Sequence, residues 1–240
     1  MQKELKSVNF NADDFGISSS VNEAIWLLLE DGRVVRSTSV MVNGPAARDA
    51  RELDQIPFIT VGIHLDSTGE GKGRFRRLAE VLRWPKRRKL YEVERQFGLF
   101  GEIMGRLPDH IDGHHNIHMY PGFREIVTQY AKDNNILVRS IDYPLNLGFH
   151  GRRIWHGNLG RGITPDDTVR LLKSLPWGVT CLACHPGYVD EGLIFSGSPY
   201  IYQRETELKT LRSPQLLDFL AANTDTFEII NTREIKHRMS

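Results

Sequence analysis

The sequence predicts a single α/β domain built on a mostly parallel sheet, either doubly wound or closed into a barrel. Short runs rich in Val, Ile, Thr and Phe alternate with segments of helical period along the chain. No internal repeat, low-complexity tract or linker divides the 240 residues, a length that supports one large core. In either architecture the active site is expected at the carboxyl ends of the strands.

Seven segments are predicted as strands because they are apolar or alternating, rich in β-branched residues and bounded by turn residues. They are Ser7 to Asn11, Ser37 to Val42, Phe58 to Leu65, His110 to Asp112, Leu137 to Ile141, Val179 to Ala183 and Phe227 to Ile230. Between the first two, the segment from Val21 to Leu29 has an apolar face at helical spacing, and Ser18 offers an N-cap. Further helices are predicted over Phe123 to Asp133, Pro165 to Ser174 and Gln215 to Ala222.

Composition excludes several classes of protein. Lys and Arg number 31 against 30 Asp and Glu, and this net charge of +1 gives no field that would attract nucleic acid or a membrane surface. No run of about 18 apolar residues occurs, so no membrane insertion is expected. The first seven residues lack the apolar run of a secretory signal, which favours a cytoplasmic protein. The sequence leaves a homodimer open.

The segment from Ser67 to Gly105 fits the alternation poorly and is predicted to be an irregular basic insertion over the strand ends. It is rich in Lys and Arg between residues 72 and 89. Its Gly-Lys pair lacks the first glycine and the Ser or Thr of a P-loop. A solvated helical surface is therefore favoured over a phosphate site.

Polar clusters follow several predicted strands. The first contains Asp13 and Asp14 in the run N-A-D-D-F-G, where two buried carboxylates need a cation or hydrogen-bond donors, although an Asp pair alone is more often a turn cap. The second places His64 in an apolar strand, where a lone histidine is more often a hydrogen-bonded core residue. The third holds four histidines in nine positions, from His110 to His118, and metal coordination is the usual reason for such a concentration.

The fourth cluster is C-L-A-C-H-P-G-Y, from Cys181 to Tyr188. The pattern C-x-x-C-H occurs at haem attachment sites, and C-x-x-C at zinc and redox sites. The residues before His185 have the character of a buried strand, in which cysteine behaves as a small apolar residue. We therefore interpret Cys181 and Cys184 as core residues and His185 as the functional one. Together, the carboxylates and imidazoles of the clusters have the composition of a catalytic divalent-metal site.

These four clusters, in this order, resemble the YdjC-like carbohydrate deacetylase family, which includes the chitooligosaccharide deacetylases. The matching elements are N-A-D-D-F-G, G-I-H-L, H-I-D-G-H-H-N-I-H-M and C-H-P-G-Y. The resemblance implies a distorted (β/α) TIM-like barrel and a divalent-metal-dependent hydrolase that removes acetyl groups from N-acetylated sugars. One departure is visible, because the family commonly has three successive histidines and Asn116 takes the third position here.

Carried over residue by residue, the resemblance implies that Asp14, His64 and His114 are the metal ligands. It makes Asp13 the base that activates the attacking water and His185 the acid that protonates the departing amine. The division of roles between the two aspartates is an analogy to other metal-dependent polysaccharide deacetylases and can be exchanged.

Supporting or substrate-binding contacts are expected from His115, His118, Arg139 and Tyr188. Of these, Arg139 matches an arginine position of the family and would hold the base ionised. Aromatic side chains in predicted loops are candidates for stacking on sugar rings, namely Trp155, Tyr188 and Phe195.

The sequence leaves the metal open between zinc and magnesium, and manganese and cobalt also suit a carboxylate with water ligands. The substrate is equally open among an oligosaccharide, a glycolipid and an aminoglycoside-like glycoside. Two other functions compete. A metal-dependent phosphoesterase would use the basic 72–89 stretch, and it would release phosphate instead of acetate. A non-catalytic sugar-binding protein on the same fold would tolerate the loss of Asp13 and His185.

Overall fold

A computed structural model describes residues 4–69, 73–142, 146–148, 163–196, 198 and 200–239. All seven predicted strands are present in these ranges, and a short additional strand covers residues 146–148. The strands are β1 (Lys6–Phe15), β2 (Val35–Val40), β3 (Thr60–Leu65), β4 (His110–Gly113), β5 (Leu137–Val138), β6 (Asn146–Gly148), β7 (Gly178–Cys184) and β8 (Phe227–Ile229).

The helices include the four predicted ones, which are α1, α4, α5 and α8 below. The Ser18 hydroxyl accepts the Val21 N–H and caps the first of them, as its position in the sequence predicts. None of the described helices combines the length and apolarity that crossing a bilayer requires. The helices are α1 (Ser19–Asp31), α2 (Arg74–Leu82), α3 (Lys86–Met104), α4 (Phe123–Asn134), α5 (Pro165–Ser174), α6 (Glu191–Ser196), α7 (Tyr202–Leu211), α8 (Pro214–Ala222) and α9 (Thr232–Met239), with 3-10 helices over Ala47–Gln55 and His114–Met119.

The strands form one parallel sheet in the order β5-β4-β3-β2-β1-β7-β6, with β8 also paired to β1. Strand β8 pairs with Lys6–Val8 of β1, whereas β2 pairs with the same strand only from Phe10 onward. One edge of β1 is therefore paired with β8 at its start and with β2 further along, and this change of partner makes the barrel irregular. Because the strands are parallel, their carboxyl ends lie at one edge.

The sheet is apolar towards the helices and polar inside. On β1, Val8 and Phe10 are fully buried in the main hydrophobic core. The intervening Asn9 donates from Nδ2 to Ser37 Oγ at 2.7 Å, and that hydroxyl lies 2.7 Å from Thr60 Oγ1. Since buried polar groups need partners, these cross-strand bonds stabilise a polar interior that leads to the carboxyl edge of the sheet.

The described residues between 67 and 105 are largely helical. Helices α2 and α3 account for most of them and form the crossover between β3 and β4. On α3, Val93, Phe97 and Phe100 are buried at spacings of four and three residues, a helical period that the abundant basic residues obscure. One of the basic residues, Lys89, is itself buried and donates to the Leu82 and Pro121 carbonyl groups.

Candidate active site

The end of β1 carries two buried carboxylates on adjacent residues. In a regular strand, neighbouring side chains point to opposite faces. Here the ladder to β2 shifts register between Ala12 and Phe15, and Asp14 adopts a left-handed backbone with φ of 69°. A bulge of this kind re-aims a side chain, and it brings both Asp13 and Asp14 to the carboxyl edge of the barrel.

Two histidines from neighbouring strands meet Asp14. His64 on β3 places Nε2 at 3.2 Å from Asp14 Oδ1, and His114, which follows β4, places Nδ1 at 3.1 Å from the same oxygen. The ligand atoms of the three residues lie within 4.8 Å of one another, and all three residues are buried. Ligands about 2.0–2.2 Å from one tetrahedral ion are separated by roughly 3.3–3.5 Å, so one carboxylate and two imidazoles at these separations fit a divalent cation.

His64 is oriented by a carboxylate on its other side. Its Nδ1 lies 2.7 Å from Asp112 Oδ1, and the Ser39 hydroxyl is 3.2 Å from the same nitrogen. Against the opposing effect of burial, Asp112 and Asp14 raise the pKa of His64 to about 9. The surrounding carboxylates therefore favour a positive charge at this position, and a carboxylate–histidine pair is the usual outer support of a metal ligand.

Asp13 is held by a guanidinium. Arg139, directly after β5, donates from Nη1 and Nη2 to the two Asp13 oxygens at 2.6 and 2.7 Å, and Nη1 also lies 2.9 Å from Asp112 Oδ2. The Asn11 amide donates to Asp13 at 2.7 Å. Asp13, Asp112 and His64 also lie close enough to hold a metal ion. The guanidinium supplies the positive charge between these two carboxylates, whereas Asp14 Oδ1 faces the two imidazoles.

His118 contacts the backbone of Arg139. Its Nε2 lies 3.1 Å from the Arg139 carbonyl oxygen, and its side chain is completely buried. Burial and the Arg139 charge lower the pKa of His118 to about 4, so the ring is neutral and donates through Nε2. His118 therefore positions the backbone of Arg139.

Asp14 has a cationic partner of its own. Arg204 on α7 donates from Nη2 to Asp14 Oδ2 at 2.6 Å, and both side chains are buried. Although burial opposes ionisation, Arg204 and His114 hold the pKa of Asp14 well below its ordinary value. Asp14 is therefore an ionised carboxylate with Oδ2 bound to arginine and Oδ1 facing the two histidines.

His185 lies beside Asp13, directly after β7. Its Nε2 is 3.8 Å from Asp13 Oδ2, and 36% of its side chain is exposed, compared with 3% for Asp13. Its backbone N–H donates to Glu207 Oε2 at 2.5 Å, and its ring lies edge-on to Tyr200 with centroids 5.6 Å apart. His185 is thus more exposed than Asp13, Asp14, His64 and His114.

The other predicted supporting residues lie further out. The His115 Nδ1 is 3.1 Å from the Thr68 hydroxyl, and its ring lies 4.0 Å from that of His114. Tyr188 is half-buried against the core, and its carbonyl accepts the Ser20 hydroxyl at 3.2 Å. Among the predicted stacking residues, Trp155 and the Phe195 side chain lie outside the described part of the chain.

Both cysteines are core residues, as predicted. Cys181 packs with Ile230 and Ile235, and Cys184 belongs to the main core. Burial raises the pKa of both thiols, which is the opposite of what a reactive or metal-binding thiolate needs.

Several residues at the site have no role that the sequence predicts. Asp112 stands in the histidine-rich motif, and its position two residues before His114 was the available signal. Arg204 and Glu207 lie on α7, outside the matching motifs, and their burial in the structure identifies them.

The fold and the site define a distorted (β/α) barrel in which Asp14, His64 and His114, at the carboxyl ends of the strands, have the ligand types and spacing to hold a metal ion. The family model of the YdjC-like proteins matches residues 7–222. The chain therefore belongs to the YdjC-like family, and the resemblance drawn from the four motifs is confirmed.

Curated relatives match nearly the whole chain. A carbohydrate deacetylase from Vibrio parahaemolyticus is 32% identical over 254 residues and covers 95% of this chain and 98% of the relative. A chitooligosaccharide deacetylase from Yersinia pestis is 32% identical over 254 residues and covers 88% of this chain and 92% of the relative.

Solved structures confirm the fold. A protein from Enterococcus faecalis V583 described in relation to cellobiose-phosphate cleavage superposes with a TM-score of 0.73 at 21% identity, over 97% of this chain and 99% of that one. A family 4 carbohydrate esterase from Streptomyces lividans, in complex with acetate, gives a TM-score of 0.55 at 12% identity, over 95% and 93%. The predicted distorted barrel is thus confirmed.

Proposed function

We propose that this protein is a divalent-metal-dependent hydrolase that removes the acetyl group from an N-acetylated amino sugar. The family membership and the carbohydrate deacetylases among its relatives support this function. The observation that carries it is the arrangement at the carboxyl edge, where an arginine-bound Asp13 lies between an Asp-His-His cation site and the partly exposed His185.

In this proposal, Asp14, His64 and His114 hold the cation, with zinc and magnesium as the candidates. When bound, such an ion polarises the acetamide carbonyl and makes a water molecule more acidic. Asp13 takes a proton from the attacking water through one of its carboxylate oxygens, and Arg139 keeps that carboxylate ionised and oriented.

His185 completes the reaction as the proposed general acid. The water oxygen bonds to the carbonyl carbon, and the bond from that carbon to the sugar nitrogen breaks. His185 gives its proton to the departing amine, so that acetate and a free amino sugar are the products. The distance of 3.8 Å between His185 Nε2 and Asp13 Oδ2 supports roles for these two residues at one reacting group.

The substrate enters where His185 is exposed. His115 lies near this edge, and we propose that it and Tyr188 contact the sugar. The balance of 31 basic and 30 acidic residues suits a neutral sugar better than a polyanion. We further propose that residues 1–240 act as one deacetylase domain in the cytoplasm.

The decisive experiment measures acetate and phosphate released from a panel of N-acetylated sugars and sugar phosphates. The parent protein is assayed as purified, after chelation, and after addition of Zn²⁺, Mg²⁺, Mn²⁺ or Co²⁺. Acetate release that chelator abolishes and one of these ions restores supports the proposal. Phosphate release, or acetate release that is indifferent to chelation, contradicts it.

Substitutions separate the metal ligands from the base. His64→Ala and His114→Ala are expected to lose metal binding and turnover together, whereas the exposed control His237→Ala keeps both. Asp13→Asn should bind metal like the parent but lose turnover by about 10²–10⁴-fold, because the proton acceptor is gone. The exposed Asp218→Asn is its matched control. A fully active Asp13→Asn protein would refute the role of Asp13.

A further inference from the structure

Helix α7 carries two buried charged residues, Arg204 and Glu207, on the side that faces the candidate active site. Arg204 and Glu207 are three residues apart, so they share one face of the helix. Each is only 1% exposed. Buried charges are costly without specific partners, and each of these two residues has a partner in the proposed catalytic centre, Asp14 for Arg204 and His185 for Glu207.

Arg204 fixes the orientation of Asp14. Its Nη2 binds Asp14 Oδ2 at 2.6 Å, and its Nε donates to the Tyr200 carbonyl at 3.1 Å. Gly187 allows the close approach, because a Cβ at that position would lie 3.2 Å from Arg204 Cδ and 2.9 Å from a Val21 methyl group. With Oδ2 bound, Asp14 presents only Oδ1 to the two histidines.

Glu207 fixes the position of His185. Its Oε2 accepts the His185 backbone N–H at 2.5 Å, and its Oε1 accepts the Tyr200 hydroxyl. The Tyr200 ring in turn packs edge-on against the His185 ring. One carboxylate therefore holds both the backbone of His185 and the aromatic ring beside its imidazole.

We propose that Arg204 and Glu207 are positioning residues through which α7 sets the geometry of the site. Arg204 leaves Asp14 a single oxygen, Oδ1, with which to bind the cation. Glu207 keeps the His185 imidazole close to Asp13 and to the acetamide group of the substrate. This inference rests on the proposed function. It assigns a role to a helix that contributes no predicted ligand, acid or base.

The Arg204 contact is tested by titrating the protein with Co²⁺ and recording its visible absorption. Arg204→Gln is expected to weaken Co²⁺ binding about 10–100-fold and to alter the absorption bands, because the supporting bond to the ligand is lost. Arg204→Lys keeps the buried charge without the two-point contact and should give an intermediate affinity. Parental Co²⁺ affinity and absorption in Arg204→Gln would overturn this role.

The Glu207 contact is tested by steady-state kinetics and by the imidazole resonances of His185 in ¹H–¹⁵N spectra. Glu207→Ala is expected to lower kcat about 10-fold or more, with KM and Co²⁺ affinity unchanged, and to shift the His185 resonances. Glu207→Gln keeps an acceptor for the backbone N–H and should restore most of kcat. A folded Glu207→Ala with parental kcat and resonances, or one that loses Co²⁺ affinity together with kcat, would overturn the role.

The exposed Lys209→Met on the same helix is the control, and it should match the parent in every measurement. A parent protein that binds Co²⁺ but releases no acetate would refute the proposed function. The Co²⁺ absorption and the His185 resonances would still report whether Arg204 and Glu207 position Asp14 and His185.

Discussion

Replacing Arg139 with methionine removes the cation between two buried carboxylates. Arg139 is 1% exposed, and its guanidinium nitrogens lie 2.6 and 2.7 Å from the Asp13 oxygens and 2.9 Å from Asp112 Oδ2. Methionine is unbranched and adapts to irregular core space, so the main loss is the charge and its hydrogen bonds.

The expected loss of stability follows from these contacts. Two unit charges about 4 Å apart attract by about 4 kcal/mol at an effective dielectric constant of 20. Removing one partner of a buried ion pair costs about 3–5 kcal/mol, because the other charge is left uncompensated. Since Arg139 serves two carboxylates, we expect the upper part of that range for the free energy of unfolding. That loss corresponds to roughly a thousandfold change in the folding equilibrium.

The assay is urea-induced unfolding of Arg139→Met and the parent in the presence of chelator, so that bound metal does not contribute to either. Arg76→Met is the control, because Arg76 pairs with Glu80 on the surface of α2 and its side chain is 86% exposed. Adding Asp13→Asn to Arg139→Met should restore part of the loss. A loss below about 1 kcal/mol, the size expected of an exposed pair, would refute the reasoning.

Three further predictions concern residues without a proposed catalytic or metal-binding role, two of them on stability and one on activity. Gly62→Ala should destabilise the protein by about 1–3 kcal/mol in urea unfolding, because its Cβ would lie 2.4–2.6 Å from the buried His110 ring. Arg238 lowers the pKa of Glu228, so their bond stabilises the fold above the ordinary Glu pKa, and this stabilisation is lost as the pH falls through the lowered pKa. Arg238→Gln should cost about 0.2–1 kcal/mol of unfolding free energy at neutral pH, and the difference from the parent should shrink as the solution is acidified. Cys184→Ala should keep parental acetate release, since its thiol is buried in the main core and donates to the Asn11 backbone carbonyl.

The strands were predictable because their composition and position in the chain agree. Each apolar, β-branched run of the sequence became a strand, and the parallel order brought the polar residues after them to one edge. For this reason Asp13, His64 and His185 could be assigned to one candidate site from the sequence, before the order of the strands in the sheet was known. The three-residue strand β6 offers too little periodicity for prediction.

Helix α7 was not predictable from apolar spacing. Part of its inward face carries Arg204 and Glu207 in place of apolar residues, so burial leaves little hydrophobic pattern in the sequence. A helix whose buried face carries charged residues lacks the periodic apolar pattern by which amphipathic helices are recognised in a sequence.

Backbone conformation explains two details that residue types alone could not settle. The left-handed Asp14 allows adjacent carboxylates to serve one site, and no spacing rule predicts it. Asn116, which stands where the family commonly has a third histidine, is left-handed as well, with φ of 57°. Asparagine tolerates this conformation better than most residues, so the departure from the family pattern is compatible with the local turn.

Asp112 divides its two oxygens between the halves of the proposed centre. Oδ1 faces His64, a proposed cation ligand, and Oδ2 faces Arg139, which binds the proposed base. A substitution that retunes the site for another metal through His64 will therefore also change the environment of Asp13. If the proposed roles hold, Asp112 couples the metal preference of the site to the basicity of Asp13, so a change to one will require a compensating change to the other.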